Sequence, residues 1–284
     1  MDIEEFRGIR KTAEPLKFTK FNVLIGRNNT GKTSILEALY LLANPWSDYL
    51  APLIGRGRPN FIADLHGGKK SLVYGYTGRC KLTYKVLELT VTMELDQNWV
   101  TEVKVNGTRK NSYKEYSEEL ARCLRVDVEY VHNLTFYIPG SSSFLKTLWG
   151  SLMNVWDSIV KMGIHKRIVK ELIVPTVYDR FTEILIERGS LKLRKEVDEE
   201  LGPLYIDIAD IGDGIKRIIT AVLALEYVKP KLVLWDDIEI AAHPGLLEAV
   251  LSWLSSKDWQ VFIATHSIDV LTSCLISPLG TGRS

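Results

Sequence analysis

No apolar stretch in this 284-residue chain approaches the ~20 residues that a membrane-spanning helix requires, which argues against helical insertion into a bilayer. The opening Met1-Asp2-Ile3-Glu4-Glu5-Phe6 lacks the basic and then apolar order of a secretory signal, so a cytoplasmic location is expected. Cysteine is scarce. Cys80, Cys123 and Cys274 are odd in number, far apart and outside any metal-ligand spacing, which excludes a disulfide framework and predicts free thiols. Neither sign of charge dominates: 36 Lys and Arg face 35 Asp and Glu, and the net charge of +1 provides no global field for a polyanion. A local basic run, Lys69-Lys70 with Arg79 and Lys81, reads as a solvated face. Glutamine occurs only at Gln97 and Gln260, no internal repeat is present, and no apolar heptad persists long enough for a coiled-coil arm. What is there is ordinary globular material, 46% hydrophobic and 25% charged, in a length that suits one large domain or two joined ones.

Along the chain, residues 1–10 and 16–25 read as two strands around a turn at Ala13-Glu14-Pro15, the second ending in the buried-type run Val23-Leu24-Ile25. A helix follows from Ser34 to Leu42, closed by Asn44-Pro45. Residues 71–105 alternate in short β-branched and aromatic stretches with a turn at Asp96-Gln97-Asn98, the pattern of an antiparallel subdomain, and another strand is expected from Val126 to Ile138. From 143 to 188 the pattern is helical, with Leu145, Leu148, Trp149, Leu152, Val155, Trp156 and Ile159 at three- and four-residue spacing and a later helix beyond Pro175. That stripe reads as core or as a partner surface rather than as a ligand box. After a strand near 203–208 come an apolar helix (214–228), a buried strand (231–236), a helix (244–256) and a second buried strand (260–264), an alternation that means parallel strands with crossover helices.

Gly26-Arg27-Asn28-Asn29-Thr30-Gly31-Lys32-Thr33 satisfies G-x-x-x-x-G-K-[ST] between a predicted strand and a predicted helix, with Ser34 entering the helix. The glycines let successive backbone N–H groups converge on phosphate oxygens, and the helix N-terminus adds a favourable dipole. Lys32 is expected at the β- and γ-phosphates of ATP, and the Thr33 hydroxyl at Mg²⁺. Lys231-Leu232-Val233-Leu234-Trp235-Asp236-Asp237 is an apolar strand ending in paired acids. Such a pair is ordinarily a solvated turn, but a phosphate loop upstream turns it into a magnesium-associated carboxylate, Asp236, followed by a water-polarising one, Asp237.

These elements, in this order, resemble an ABC-type ATPase head, especially the OLD-like and Rad50/SMC-like heads. Phe18 to Leu42 is similar to their opening strand, phosphate loop and helix. Ile211-Gly212-Asp213-Gly214-Ile215-Lys216-Arg217 resembles their signature element, Asp236 to Pro244 their D-E-x-E-x-G-L-H-P segment, and Phe262-Ile263-Ala264-Thr265-His266-Ser267 their switch-histidine motif. The resemblance implies an α/β P-loop NTPase fold with a mainly parallel core sheet. Its ATPase core would comprise 1–45 and 203–284, with an antiparallel β subdomain at 46–140 and a short helical lid at 141–202.

The resemblance also implies that ATP and Mg²⁺ are bound, that His266 senses the γ-phosphate, and that Gly212 and Gly214 meet the nucleotide of a second copy in an ATP-dependent homodimer. Partners extend to DNA or a nuclease, and the role to DNA repair or anti-phage defence. Three departures stand out. Asp237 replaces the usual Glu, one methylene shorter, which predicts slow turnover. Gly212-Asp213-Gly214 lacks the serine of the usual signature, so phosphate contact would come from backbone N–H groups at the helix start. Neither glutamine occupies a Q-loop position, so that either a group near Pro139-Gly140-Ser141 serves instead or none does. The final Leu279 to Ser284 reads as a tail.

Overall fold

The computed structural model describes residues 1–176, 180–187, 189–197, 202–240, 243–267 and 270. Cys274, the tail at 279–284, and Ala241 and Ala242 of the acidic segment lie outside them. In chain order the elements are β1 (Asp2–Phe6), β2 (Ile9–Lys11), β3 (Phe21–Ile25), α1 (Lys32–Leu41), α2 (Arg58–Leu65), β4 (Arg79–Val86), β5 (Leu89–Asp96), β6 (Trp99–Val105), β7 (Thr108–Arg109), α3 (Tyr113–Leu124) and β8 (Thr135–Ile138). These are followed by α4 (Ser142–Asn154), α5 (Trp156–Lys161), α6 (Ile164–Ile168), β9 (Phe181–Glu187), β10 (Ser190–Lys195), β11 (Leu204–Asp207), α7 (Ile208–Ile211), α8 (Asp213–Val228), β12 (Leu232–Asp236), α9 (Pro244–Ser256) and β13 (Gln260–Thr265).

The element that positions the site is a parallel sheet ordered β3-β13-β12-β8. Its strands are short and almost wholly apolar because both faces are covered, and Val233, Leu234 and Trp235 are each fully buried. Helix α1 packs across β8, β12 and β13. The register sets Thr265 beside Ile25, Asp236 beside Ala264 and Trp235 beside Ile138, so all four strands stop at one edge.

A second, antiparallel sheet runs β2-β1-β4-β5-β6-β7. The period-2 pattern of β4 and β5 is realised in burial: Cys80, Leu82 and Tyr84, then Leu89, Val91, Met93 and Leu95, face inward while their neighbours face water. Two phenols tie this layer's surroundings to the phosphate-loop helix, since Tyr84 donates to Ala38 O at 2.6 Å and Tyr116, on α3, to Leu42 O at 2.5 Å.

Several expectations are corrected. Residues 1–10 are not one strand: Arg7 has φ 51°, and with Gly8 it turns the chain so that Phe6 pairs with Ile9. The stretch 126–138 is strand only over its last four residues, and 128–133 forms a 3₁₀ turn. Beyond Pro175 the chain forms β9, not a helix. Its apolar residues Ile184, Leu185 and Ile186 are consecutive, which suits either state, and pairing with β10 decides for strand. The expected boundaries at 45 and 140 do not follow the sheets either, because β1 pairs with β4 and β8 pairs with β12. The 143–159 stripe is core: Leu148, Leu152 and Ile159 are fully buried, and Leu145, Trp149, Val155 and Trp156 pack against them.

Helix α8 is buried along most of its length and carries Glu226, which accepts from Arg167 Nη2 and pairs with Lys257 Nζ, both at 2.7 Å. That carboxylate joins α8 to α6 and to the residue that ends α9. Replacing Leu234 by Ala in the central strand should destabilise the protein by about 2–5 kcal/mol, because the sheet is covered on both sides and cannot collapse onto the cavity. Urea unfolding checks this, and a loss below about 1 kcal/mol would contradict the packing described.

Candidate functional site

The phosphate loop leaves β3 and curls into α1. Gly31 has φ 88°, and a Cβ there would meet Ile9 Cγ1 at 2.9 Å, so both conformation and the close approach of β2 require glycine. Asn29 is left-handed as well, at φ 61°, a conformation that asparagine tolerates better than most residues. Lys32 is almost buried and donates from Nζ to Gly26 O and Arg27 O, both at 2.8 Å, drawing the loop closed around its own ammonium group. Beside the loop lies a cavity of about 390 Å³ lined by residues 28–34, with His266, Arg7, Gly8 and His66 completing it.

The acids meet this loop from β12. Thr33 Oγ1 donates to Asp236 Oδ2 at 2.7 Å across 203 residues of sequence. Burial pushes the Asp236 carboxyl up to about 6, with the Asp237 and Glu37 carboxylates adding to the rise and the Thr33 hydroxyl and Lys32 opposing it. Tyr137, its own phenol held well above the ordinary range by burial, also points at Asp236 Oδ2 from 3.5 Å. A hydroxyl and a carboxylate in contact form a hard-oxygen pair of the kind Mg²⁺ accepts alongside phosphate oxygens and waters, so the donor set fits that ion.

Asp237 turns the chain out of β12 at φ 49° while its N–H donates to Ala264 O at 2.9 Å. His266 follows β13. Its Nε2 lies 3.7 Å from Asp237 Oδ1, its Nδ1 3.4 Å from Lys32 Nζ, and its backbone N–H donates to Glu239 Oε1 at 2.8 Å. Downstream, His243 caps α9 by accepting from Gly245 N at 3.3 Å, with Pro244 at the first helical position.

Lys32, Thr33, Asp236, Asp237 and His266 are therefore brought together with the loop from Gly26 to Ser34. Gly212 and Gly214 are not. They open α8, Gly212 at φ 117° and Gly214 buried, outside the residues that line the cavity. Sequence reasoning missed Arg7, His66 and Glu37. Glu37 is fully buried on α1, with Arg7 Nε 2.6 Å and His66 Nε2 2.5 Å away, although the Arg7 N–H is not aligned as a hydrogen bond. A glutamate in the middle of a buried helix was the one available signal for this cluster.

A phosphate loop, a facing acidic strand end and a histidine at the end of the strand between them define a P-loop nucleotide-binding protein. Residues 1–131 match the family model described as "AAA ATPase domain", and residues 145–273 match the one described as "AAA domain, putative AbiEii toxin, Type IV TA system". Between them the two matches make the chain similar to AAA ATPase domains along most of its length.

Among solved structures, the SMC head domain from Thermotoga maritima superposes with a TM-score of 0.54 at 15% identity, covering 96% of this chain and 90% of that one. An SMC head bound to the C-terminal winged-helix domain of ScpA superposes with a TM-score of 0.57 at 14% identity and the same coverage. Among curated proteins, the DNA replication and repair protein RecF of Vibrio cholerae is 36% identical over 105 residues, 37% of this chain and 27% of RecF. The RecF of Histophilus somni is 29% identical over 172 residues, 56% of this chain and 42% of that protein. These matches thus span about a quarter to two-fifths of the relatives' length.

The raised Asp236 carboxyl predicts a pH dependence of the nucleotide-free protein. An acid whose folded pKa lies above its unfolded one stabilises the fold only while protonated. Its contribution is present in full below about pH 4 and is lost as pH rises through about 6, an effect on the order of 2–3 kcal/mol. Asp236→Asn cannot ionise. The melting temperature of the wild type relative to Asp236→Asn should therefore fall between pH 4 and pH 7, and a constant difference would contradict the burial assigned to Asp236.

Proposed function

We propose that this head binds MgATP in the cradle formed by residues 26–34 and hydrolyses it slowly, cycling between a nucleotide-bound homodimer and separated subunits. One observation carries the reading: the phosphate loop, the paired acids and the histidine leave adjacent parallel strands at one edge, with Thr33 and Asp236 in direct hydrogen bond.

In this reading the loop N–H groups and Lys32 hold the β- and γ-phosphates, with Lys32 exchanging its carbonyl partners for phosphate oxygens. Thr33 and Asp236 hold Mg²⁺, which neutralises phosphate charge. Asp237 orients a water whose oxygen bonds to the γ-phosphorus as the bond to the β–γ bridging oxygen breaks, giving ADP and phosphate. His266, placed between Lys32 and Asp237, donates toward the γ-phosphate and reports its presence to Glu239 through its backbone. Gly212, exposed at the start of α8 and outside the cavity lining, suits contact with the nucleotide of a second copy, with the buried Gly214 behind it.

The similarity to RecF, a DNA replication and repair protein, supports a task in DNA replication or repair. DNA or a nuclease is the proposed partner, in the cytoplasm, and no described helix is long and apolar enough to cross a membrane. A second reading is favoured by one residue. Because Asp237 is a methylene shorter than glutamate, the head can act as a nucleotide-dependent protein-interaction switch with little or no turnover.

Lys32→Ala should weaken ATP binding by about tenfold to a hundredfold, the value of charge-assisted bonds to phosphate, in an equilibrium titration with a fluorescent ATP analogue. Unchanged affinity would remove the cradle from the mechanism. Asp237→Ala should elute as a dimer in MgATP and as a monomer without it, and an elution volume indifferent to nucleotide would count against the dimer cycle. Steady-state phosphate release that depends on Lys32 separates the ATPase from the switch. A gel shift in MgATP that weakens with salt tests the DNA partner.

A further inference from the structure

The loop joining β8 to α4 makes contacts that this mechanism leaves unused. Arg217, on the second turn of α8, is only 4% exposed. Asp237, Asp236 and Glu239 all attract its guanidinium, yet its bonds go to none of them. Nη1 donates to Gly140 O and Nη2 to Pro139 O, each at 3.2 Å, and Nε has no hydrogen-bond partner among the described residues. A buried cation is costly unless its donors are used, and here two are spent on adjacent carbonyls of one loop.

Gly140 in turn lies directly against Asp237. A Cβ at position 140 would sit 2.7 Å from Asp237 Oδ2 and 3.3 Å from Asp237 Cβ, so a side chain there would push the Asp237 carboxylate from its place. The carboxylate is therefore walled by Gly140 on one side and faces His266 on the other. Gln97 lies in the β5–β6 turn, and Gln260 donates to Thr19 O at the opposite end of β13 from His266.

We propose that Arg217 and Gly140 are positioning residues for Asp237: the guanidinium fixes the Pro139–Gly140 loop to α8, and the bare α-carbon of Gly140 leaves the space that the carboxylate occupies. The proposal rests on the reading of Asp237 as the water-orienting group. Since Arg217 is carried by the helix that opens with Gly212 and Gly214, a displacement of α8 against a second copy is passed through two hydrogen bonds to the wall of the hydrolytic carboxylate. The chain thereby couples closure to water positioning without a glutamine in this loop.

The test uses the full chain and the variants Gly140→Ala, Arg217→Gln and Arg217→Lys. Affinity for a fluorescent ATP analogue should stay within about twofold, while phosphate release at saturating MgATP falls about tenfold to a hundredfold in Gly140→Ala and Arg217→Gln. Arg217→Lys, which keeps a cation and one carbonyl bond, should retain more turnover than Arg217→Gln. In the nucleotide-free protein the imidazole NMR resonances of His266, assigned by their loss in His266→Asn, should move in Gly140→Ala and Arg217→Gln, while those of the other four histidines stay. Unchanged turnover in Gly140→Ala, or affinity and turnover falling together with melting temperature, overturns the proposal in favour of a purely structural brace. If the wild type releases no phosphate, the hydrolytic reading fails by itself. The His266 resonances then still decide, and stationary resonances in both variants overturn the positioning role. Should Arg217→Gln fail to fold, Gly140→Ala and Arg217→Lys carry the decision.

Discussion

The in-register pairing of β3, β13, β12 and β8 is the constraint on which the rest of the molecule depends. Parallel neighbours end at a common edge, so residues far apart in sequence are delivered to one place with the precision of a hydrogen-bonded ladder. Thr33 meets Asp236 only because the loop after β3 and the end of β12 flank β13, and His266 leaves that same β13. Slipping one strand by a residue would turn Asp236 toward the opposite face and exchange a carboxylate for an indole or a second acid.

Around that edge, charge is concentrated and only partly balanced. Glu37, Asp236, Asp237 and Glu239 lie near one another, and the cations that answer them are Lys32, Arg7 and Arg217. Two of these cations direct their hydrogen bonds at backbone carbonyls rather than at the acids, Lys32 in the phosphate loop and Arg217 in the loop after β8. Each braces a loop while offsetting nearby negative charge. A group bearing further negative charge, such as a triphosphate, would be met by the N–H groups of the loop and the dipole of α1, and a divalent cation there would relieve the proton affinity that burial gives Asp236.

The layers outside the parallel sheet serve its rigidity. Tyr84 and Tyr116 bond to carbonyls of Ala38 and Leu42, fastening the antiparallel layer and α3 to the helix that follows the phosphate loop. Glu226 fastens α8 to α6 and to the end of α9. Helices α1 and α8 are thus each anchored through partners distant in sequence.

Local chemistry was readable from the residues because it depends on neighbours in sequence. Gly26 to Ser34 needs a turn, converging N–H groups and a helix start within nine residues, and Leu232 to Asp237 needs an apolar strand with acids at its end. Alternation likewise announced β4 and β5, since a half-buried sheet repeats every two residues. Tertiary structure alone decided the rest. Whether Ile184-Leu185-Ile186 is strand or helix depends on β10, and whether residues 135–138 join the antiparallel layer or the nucleotide sheet depends on β12. That Arg217 braces Gly140, and that Arg7 and His66 converge on Glu37, are contacts across 77, 30 and 29 residues of chain. No local periodicity encodes such pairs, because their energy comes from burial and charge compensation that exist only once the sheet has assembled.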